Sequence, residues 1–394
     1  MNILMTLSGI VGGQEQRLRE TLQEIATDPA GNPYLRFTES PHTHFARFVL
    51  TDEAKLMFVA NYDGGIEDYA RELMASAPRP DGLWSSCEGY AGPASFLSFI
   101  SSNYCKPRGV YVAFPGLTAA DITAGAAIRR ELESFLDLPD VAAYLTEPGV
   151  APFIERLAGF PDPSPSGSLR TSLRAMSANT VAGLRAWLRP PFLRFAQAFS
   201  EQGEAKTFPH VRGGFDIGAS NRERELEIQT APIGENMVQN QMTTITDIRP
   251  EKMARLRFAL AGTTVLTRFG WPPGEFADVG TLHWFAWAIV DGGKHLVFLS
   301  TFDGSWQNYM HDFVNHLIWG LDALYSNTYD YPAAGMKDIY AFTDYILDHQ
   351  YPPAVFYSAY PTETVANVMR DRQIVSALGL HSRQPAVDEW LARL

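Results

Sequence analysis

The chain has 394 residues, 46% of them hydrophobic and 19% charged, which is the composition of a folded globular protein. Its net charge of −12 argues against nucleic acid as a partner, and its two cysteines are too few for a disulfide scaffold or a four-cysteine zinc site. It has no apolar run of about 20 residues and no signal-peptide pattern, so we expect a cytoplasmic protein.

In the first part of the chain, apolar periodicity predicts the element order β-α-β-β-α-β of a ferredoxin-like unit. Strands are predicted at 3–10, 44–51, 56–62 and 83–90, with helices at 14–26 and 66–77. A further helix, strand and helix are predicted at about 94–104, 108–114 and 119–136.

An insert predicted to be mainly helical follows at 138–239. Its segment 168–200 has five arginines and no acidic residue, with apolar residues at roughly helical spacing. One interpretation is a pair of interfacial helices that touch an anionic membrane or gate an apolar substrate. The other is a pair of amphipathic helices that pack on the rest of the protein.

The last part of the chain repeats the first. Strands are predicted at 241–248, 281–290, 295–302, 322–329 and 354–360, and helices at 250–261, 305–320, 335–348 and 362–378. Matching residues recur in the same order: Leu18 and Leu256, His44 and His283, Asp63 and Asp303, Gly64 and Gly304, Tyr69 and Tyr309, Pro107 and Pro353, Pro115 and Pro361. We therefore predict two homologous modules, 1–137 and 240–380, joined by the insert and followed by a tail, 381–394.

The strand LHWFAWAIV of the second module is apolar on both faces, so both faces should be covered. Helices cover one face, and the sheet of the other module is the natural cover for the second. The predicted fold is therefore α+β, with tandem duplicated ferredoxin-like modules whose antiparallel sheets face each other inside one chain.

This pattern resembles the dimeric α/β-barrel superfamily in its fused, two-module form. The haem-binding branch of that superfamily includes dye-decolourising peroxidases, chlorite dismutases and aldoxime dehydratases. The likeness covers both modules but not the insert. The nearest string to the peroxidase motif GxxDG is ANYDG at 60–64, which lacks the first glycine. The segments LHWFA, FDGSW and YSAYP also resemble those of an uncharacterised bacterial family, a likeness that implies no activity.

The resemblance implies a haem whose axial histidine comes from the second module, commonly on or beside a helix. His311 and His316 are the candidate metal ligands, because they flank the buried face of the predicted helix 305–320. Trp306 on that face and Tyr357 and Tyr360 near the last strand complete the predicted cofactor-binding set. The structural alternatives are surface histidines and ordinary core aromatic residues.

Three further residues are candidates for catalysis. Arg47 interrupts an apolar strand and should bind a carboxylate, a haem propionate or an anionic headgroup, or else reach solvent at a sheet edge. His283 forms a pair with His44 that either binds a metal or is structural, with each ring bonded to a backbone carbonyl. Asp303 either takes part in catalysis or caps the helix that follows it.

Three functions remain open from the sequence. The first is a haem-dependent oxidoreductase, peroxidase-like or lyase-like, that acts on a hydrophobic small molecule. The second is a cofactor-free α/β-barrel protein that binds or transforms a hydrophobic or lipid-like ligand. The third is a non-enzymatic scaffold that contacts a membrane surface through 168–200. Each of these is compatible with a homo-oligomer.

Overall fold

A computed structural model describes residues 1–139 and 237–377, apart from residues 270, 272, 273, 275 and 278. Two four-stranded antiparallel sheets with flanking helices make up this part, which confirms the α+β prediction. Most of the predicted insert, including 168–200, and the whole predicted tail lie outside the described residues. In the described part, no helix is both long enough and apolar enough to cross a membrane.

The N-terminal half, residues 1–139, supplies four strands. They are β1 (Asn2–Gly9), β2 (Thr43–Leu50), β3 (Lys55–Tyr62) and β4 (Arg108–Val112). Its helices are α1 (Glu15–Thr27), α2 (Ile66–Ala75), α3 (Asp81–Trp84), α4 (Phe96–Ser102) and α5 (Ala119–Leu136).

The C-terminal half, residues 237–377, also supplies four strands. They are β5 (Gln239–Asp247), β6 (Leu282–Val290), β7 (His295–Asp303) and β8 (Val355–Ser358). Its helices are α6 (Met253–Phe269), α7 (Trp306–Tyr325), α8 (Ile339–Asp348) and α9 (Val365–Ala377).

The two halves exchange their last strands. One sheet has the order β1-β3-β2-β8 and the other the order β4-β6-β7-β5, so each contains three strands of one half and one strand of the other. β8 pairs with β2, and β4 pairs with β6, in both cases antiparallel. Each exchanged strand covers an edge that would otherwise be open to pairing with another chain.

The inner faces of the sheets share one apolar core. Met5, Phe45 and Val59 of the first sheet belong to the same buried cluster as Trp284 and Leu299 of the second. A separate cluster, which includes Leu22 and Phe58, fills the space between the first sheet and its helices. Both faces of the sheets are therefore covered, as the apolar strand LHWFAWAIV predicts.

Two predicted strands are wrong. Residues 83–90 begin inside α3, and Cys87 forms only a single bridge to Ile10. Residues 322–329 lie partly in α7, and Thr328 forms only a single bridge to Ile248. The alternation of apolar residues in both segments comes from a helix end packed beside a sheet edge, which a period of two does not distinguish from a strand.

Candidate functional site

Two histidines occupy matching irregularities in the sheets. The ladder between β2 and β3 shifts register at His44, and the ladder between β6 and β7 shifts register at His283. The carbonyl of each histidine accepts a hydrogen bond from an exchanged strand segment, from Ala359 at 2.9 Å and from Ala113 at 2.8 Å. Bulges of this kind redirect a side chain within a sheet and are common beside functional sites.

His44 is fully partnered. Its Nε2 lies 2.9 Å from Oδ2 of Asp63, and its Nδ1 lies 2.9 Å from the hydroxyl of Tyr360. The network assigns Nε2–H as the donor to Asp63 and the tyrosine hydroxyl as the donor to Nδ1. Burial lowers the pKa of His44, although the bond to Asp63 opposes that effect, so the neutral ring is favoured.

His283 also bonds an aspartate through Nε2, but in the described part of the chain its Nδ1 has no partner that corresponds to the Tyr360 hydroxyl. Its Nε2 lies 2.7 Å from Oδ1 of Asp303, while its Nδ1 is buried without a hydrogen-bond partner among the described residues. Phe114 contacts His283 as Tyr360 contacts His44, and each of the two rings is followed in the chain by a proline, Pro115 and Pro361. Phenylalanine has no hydroxyl, which explains the bare nitrogen.

The two ring pairs have nearly the same geometry. Phe114 and His283 are edge-to-face, with centroids 5.6 Å apart at 81°. Tyr360 and His44 are edge-to-face, with centroids 5.8 Å apart at 85°. The difference between the two sites is therefore the missing hydroxyl rather than a different placement of the ring. A buried unpaired acceptor is costly and calls for a functional or structural explanation.

Both aspartates bind the first turn of a helix, but not of the helix predicted from sequence. Oδ2 of Asp63 accepts from the backbone N–H of Ala119 at the start of α5, and Oδ2 of Asp303 accepts from that of Val365 at the start of α9, at 2.9 and 2.8 Å. The expectation that Asp303 caps the next helix is wrong, because Ser305 caps α7. A helix N-terminus favours the negative charge of each carboxylate.

The surroundings of the two carboxylates differ. The amino group of Met1 lies 3.4 Å from Oδ1 of Asp63. Burial by itself raises the pKa of Asp63, but the hydrogen bonds from His44 and Ala119 and the neighbouring positive charge together lower it. Asp303 instead lines a cleft of about 680 Å³. Of the catalytic candidates named from sequence, Asp303 is the one that lines this cleft.

The cleft is built from four chain segments in the C-terminal half. They are the start of β5, the residue before β6, the end of β7 with the first turn of α7, and the residue before α9. The lining residues are Met237, Val238, Gln239, Asn240, Thr281, Asp303, Gly304, Asn308, Tyr309 and Thr364. The cleft therefore combines amide, hydroxyl and carboxylate groups with apolar side chains, as small-molecule sites do.

Two residues that line the cleft each have a buried acceptor without a hydrogen-bond partner among the described residues. Gln239 is 1% exposed; its Nε2 donates to the carbonyls of Tyr360 and Glu363, while its Oε1 is unpaired. The hydroxyl oxygen of Thr281 is also buried and unpaired. Gln239 pairs directly with Asp303 across the β5–β7 ladder, so the two side chains are cross-strand neighbours. The sequence carries no motif for these groups.

Arg47 links the two sheets and is not one of the residues that line the cleft. It is 1% exposed, its guanidinium lies 5.1 Å from the Trp284 ring centroid, and burial lowers its pKa to about 9. No described carboxylate forms an ion pair with it, and its head does not reach solvent, so those two expectations are wrong, while a haem propionate or an anionic headgroup as its partner stays a prediction. Neutral oxygens of the second sheet accept its hydrogen bonds, from Gln241, Met242, Thr243, Ser300 and Thr301.

The described members of the predicted haem site do not gather around one cavity. The indole of Trp306 donates to Gln350 in the core, and Tyr357 stacks on Phe37 on the helix-covered face of the first sheet. The hydroxyl of Tyr360 forms a hydrogen bond with His44. These three residues therefore do not fit a haem pocket.

The side chains of the two predicted axial ligands, His311 and His316, lie outside the described part, so their role stays a prediction. None of the described residues that line the cleft is a histidine.

One other cluster joins the turns of the two hairpins. Glu53, Asp291 and His295 place three ligand atoms within 4.8 Å of one another. The ammonium of Lys55 lies 2.8 Å from a carboxylate oxygen of Glu53 and of Asp291, so a cation already occupies the space between them. We interpret this cluster as an ionic contact between the halves.

Comparison with protein-family profiles, with curated proteins and with solved structures found no match to this chain. The resemblance to the dimeric α/β-barrel superfamily therefore stays a prediction, and the functional argument depends on the site itself.

Proposed function

We propose that this chain is a cofactor-free protein that binds a small organic molecule in the Asp303 cleft. The observation that carries the proposal is the difference between two matching His–Asp pairs. Tyr360 and Met1 contact the Asp63 pair, whereas Asp303 lines a cleft together with two residues that have unpaired acceptors. A matching site that is left open is a stronger functional candidate than one whose groups are all satisfied.

His283 would position the carboxylate rather than contact the ligand. It is fully buried, and its Nε2–H holds Oδ1 of Asp303 while the N–H of Val365 holds Oδ2. Each oxygen retains a further lone pair for a ligand, since a carboxylate accepts about four hydrogen bonds. Two fixed donors orient the group before a ligand arrives, which reduces the entropic cost of binding.

We also infer that the two halves are copies of one ferredoxin-like unit. Support comes from the matching bulges at His44 and His283, the matching carboxylates and the matching exchanged strands. In this interpretation the His44–Asp63 pair has a structural role, and the His283–Asp303 pair of the other copy can bind a ligand.

The proposal is tested with Asp303→Asn and its sister change Asp63→Asn in the full chain. The asparagine oxygen still accepts from the helix N–H, and its amide donates to a histidine ring nitrogen, so we expect both variants to fold. The probe is a library of small ammonium, hydroxyl and carboxylate compounds, with binding read by saturation-transfer NMR and by shifts in melting temperature. We expect compounds that bind the wild type and Asp63→Asn, and that bind Asp303→Asn about tenfold more weakly.

Equal binding to all three proteins, or no binding by any member of the library, would contradict the proposal. A visible spectrum after addition of haemin separates it from the haem hypothesis. A Soret band at one haem per chain would favour the haem-dependent oxidoreductase, and a spectrum without that band would favour the cofactor-free protein.

A further inference from the structure

The lining of the Asp303 cleft includes one negatively charged group and two residues with unpaired hydrogen-bond acceptors. The side chain of Asp303 is 10% exposed, Gln239 has an unpaired Oε1, and Thr281 has an unpaired hydroxyl oxygen. None of the described residues that line the cleft is lysine, arginine or histidine. A ligand that satisfies these groups must bring hydrogen-bond donors, and a positive charge would compensate the carboxylate.

The matching site in the N-terminal half already holds such a group. There the amino group of Met1 lies 3.4 Å from Oδ1 of Asp63, and Met1 takes the place in the repeat that Gln239 takes in the C-terminal half. At Gln239 the position carries a peptide bond to Val238 and no ammonium. The Asp303 carboxylate thus lacks, among the described residues, the cation that its sister has.

We propose that the Asp303 cleft binds the ammonium group of a small amine, with Asp303 as its counter-ion. Gln239 Oε1 and the Thr281 hydroxyl accept the remaining N–H bonds, and the apolar side chains of Met237 and Val238 contact the organic part of the molecule. This inference rests on the proposed function and adds the chemical class of the ligand. The net charge of −12 also favours the approach of a cation over that of an anion.

An alcohol and a carboxylate are the informative alternatives. An alcohol has one donor and no charge, so it leaves the carboxylate uncompensated and satisfies at most one of the three acceptors. A carboxylate compound would place like charges together in a cleft that is partly shielded from water.

The test compares benzylammonium, benzyl alcohol and benzoate, which share one apolar body and differ in the head group. Dissociation constants are measured by NMR titration of the full chain at pH 7, for the wild type, Asp303→Asn, Thr281→Val and Asp63→Asn. We expect benzylammonium to bind the wild type at least tenfold more tightly than either of the other compounds. Asp303→Asn should remove that preference, Thr281→Val should weaken benzylammonium a few-fold, and Asp63→Asn should leave its affinity unchanged.

The outcomes separate this inference from the proposed function. If benzyl alcohol or benzoate binds as tightly as benzylammonium, and Asp303→Asn weakens that binding, the cleft is a ligand site but the amine assignment is wrong. If benzylammonium binds Asp303→Asn as tightly as it binds the wild type, the amine assignment is also wrong. If none of the three compounds binds the wild type, the amine assignment is wrong, and the library screen decides the proposed function.

Discussion

A single hydroxyl distinguishes the two histidine sites. The Tyr360 hydroxyl satisfies Nδ1 of His44, and the ring of Phe114 has nearly the same orientation toward His283 without that oxygen. Because the ring geometries agree, a hydroxyl on Phe114 should reach His283 as the Tyr360 hydroxyl reaches His44. One substitution can therefore add the hydroxyl at Phe114, and one can remove it at Tyr360.

We predict that Phe114→Tyr raises the free energy of unfolding by about 1 kcal/mol, because it gives the buried Nδ1 of His283 a donor. The reciprocal change, Tyr360→Phe, should lower it by about 1–3 kcal/mol, because it leaves Nδ1 of His44 unpaired. Urea denaturation followed by far-UV circular dichroism measures both values. A loss of stability in Phe114→Tyr would show that the site cannot accept the hydroxyl.

The sequence alone predicts part of this site. The predicted strands 44–51 and 56–62 form a hairpin in which His44 begins the first strand and Asp63 directly follows the second. The pairing of His44 with Asp63 could therefore be predicted from the sequence. The contact between His44 and Tyr360 was not, because 316 residues separate them and the contact depends on strand exchange. Period and composition carry no information about which sheet a strand joins.

At the scale of elements, the exchanged strand β4 is fixed against helix α6. Gly109 has a φ of +52°, its N–H donates to Thr264, and an added Cβ would lie 2.9 Å from a side-chain carbon of Thr263 and 3.3 Å from the Trp287 ring. The backbone of β4 therefore approaches α6 as closely as a glycine permits.

We predict that Gly109→Ala destabilises the protein by about 2–4 kcal/mol, from left-handed backbone strain together with overpacking. Gly116→Ala is the matched control, because Gly116 has a φ of +88° but open space around an added Cβ. Gly116→Ala should lower the free energy of unfolding by about 1 kcal/mol, because it adds left-handed backbone strain without overpacking. Equal losses in the two variants, measured by urea denaturation, would show that the contact with α6 contributes nothing.

The predicted strands are correct where apolar residues recur regularly over the whole segment. They are wrong for short segments that overlap the end of a helix. The strands predicted at 44–51 and 56–62 lie within one residue of β2 and β3. The segment 83–90 failed because its two hydrogen bonds to the edge of β1, from Glu88 to Gly9 and from Val11 to Ser86, are too few to form a strand. Whether these residues form a strand depends on the neighbouring strand available for pairing, and not only on their own apolar pattern.

At the scale of the whole molecule, the exchange of strands and the contacts of Arg47 make each sheet depend on both halves. Neither sheet is complete without a strand from the other half, and Arg47 of the first sheet bonds five residues of the second. We expect the described part to unfold in one cooperative step, although it contains two similar halves.

Hydrogen exchange tests this cooperativity. Leu22→Ala in α1 removes a fully buried side chain of the N-terminal half and should cost about 3 kcal/mol. We predict that exchange protection of β7 in the C-terminal half then falls by about a hundredfold, as much as that of β3. Leu97→Ala, at a leucine that is 38% exposed, is the control and should change little. Loss of protection confined to the N-terminal half would mean that the halves unfold separately.

The exchanged strands also determine what would happen if the polypeptide were divided between residues 139 and 237. A fragment without β8 would leave β2 as a bare edge, and a fragment without β4 would leave β6 as a bare edge. Each fragment would carry the piece that its counterpart lacks, so the two would recognise each other by completing their sheets. Two separately synthesised fragments would then behave as the subunits of a heterodimer, joined by their completed sheets and by the hydrogen bond between His44 and Tyr360.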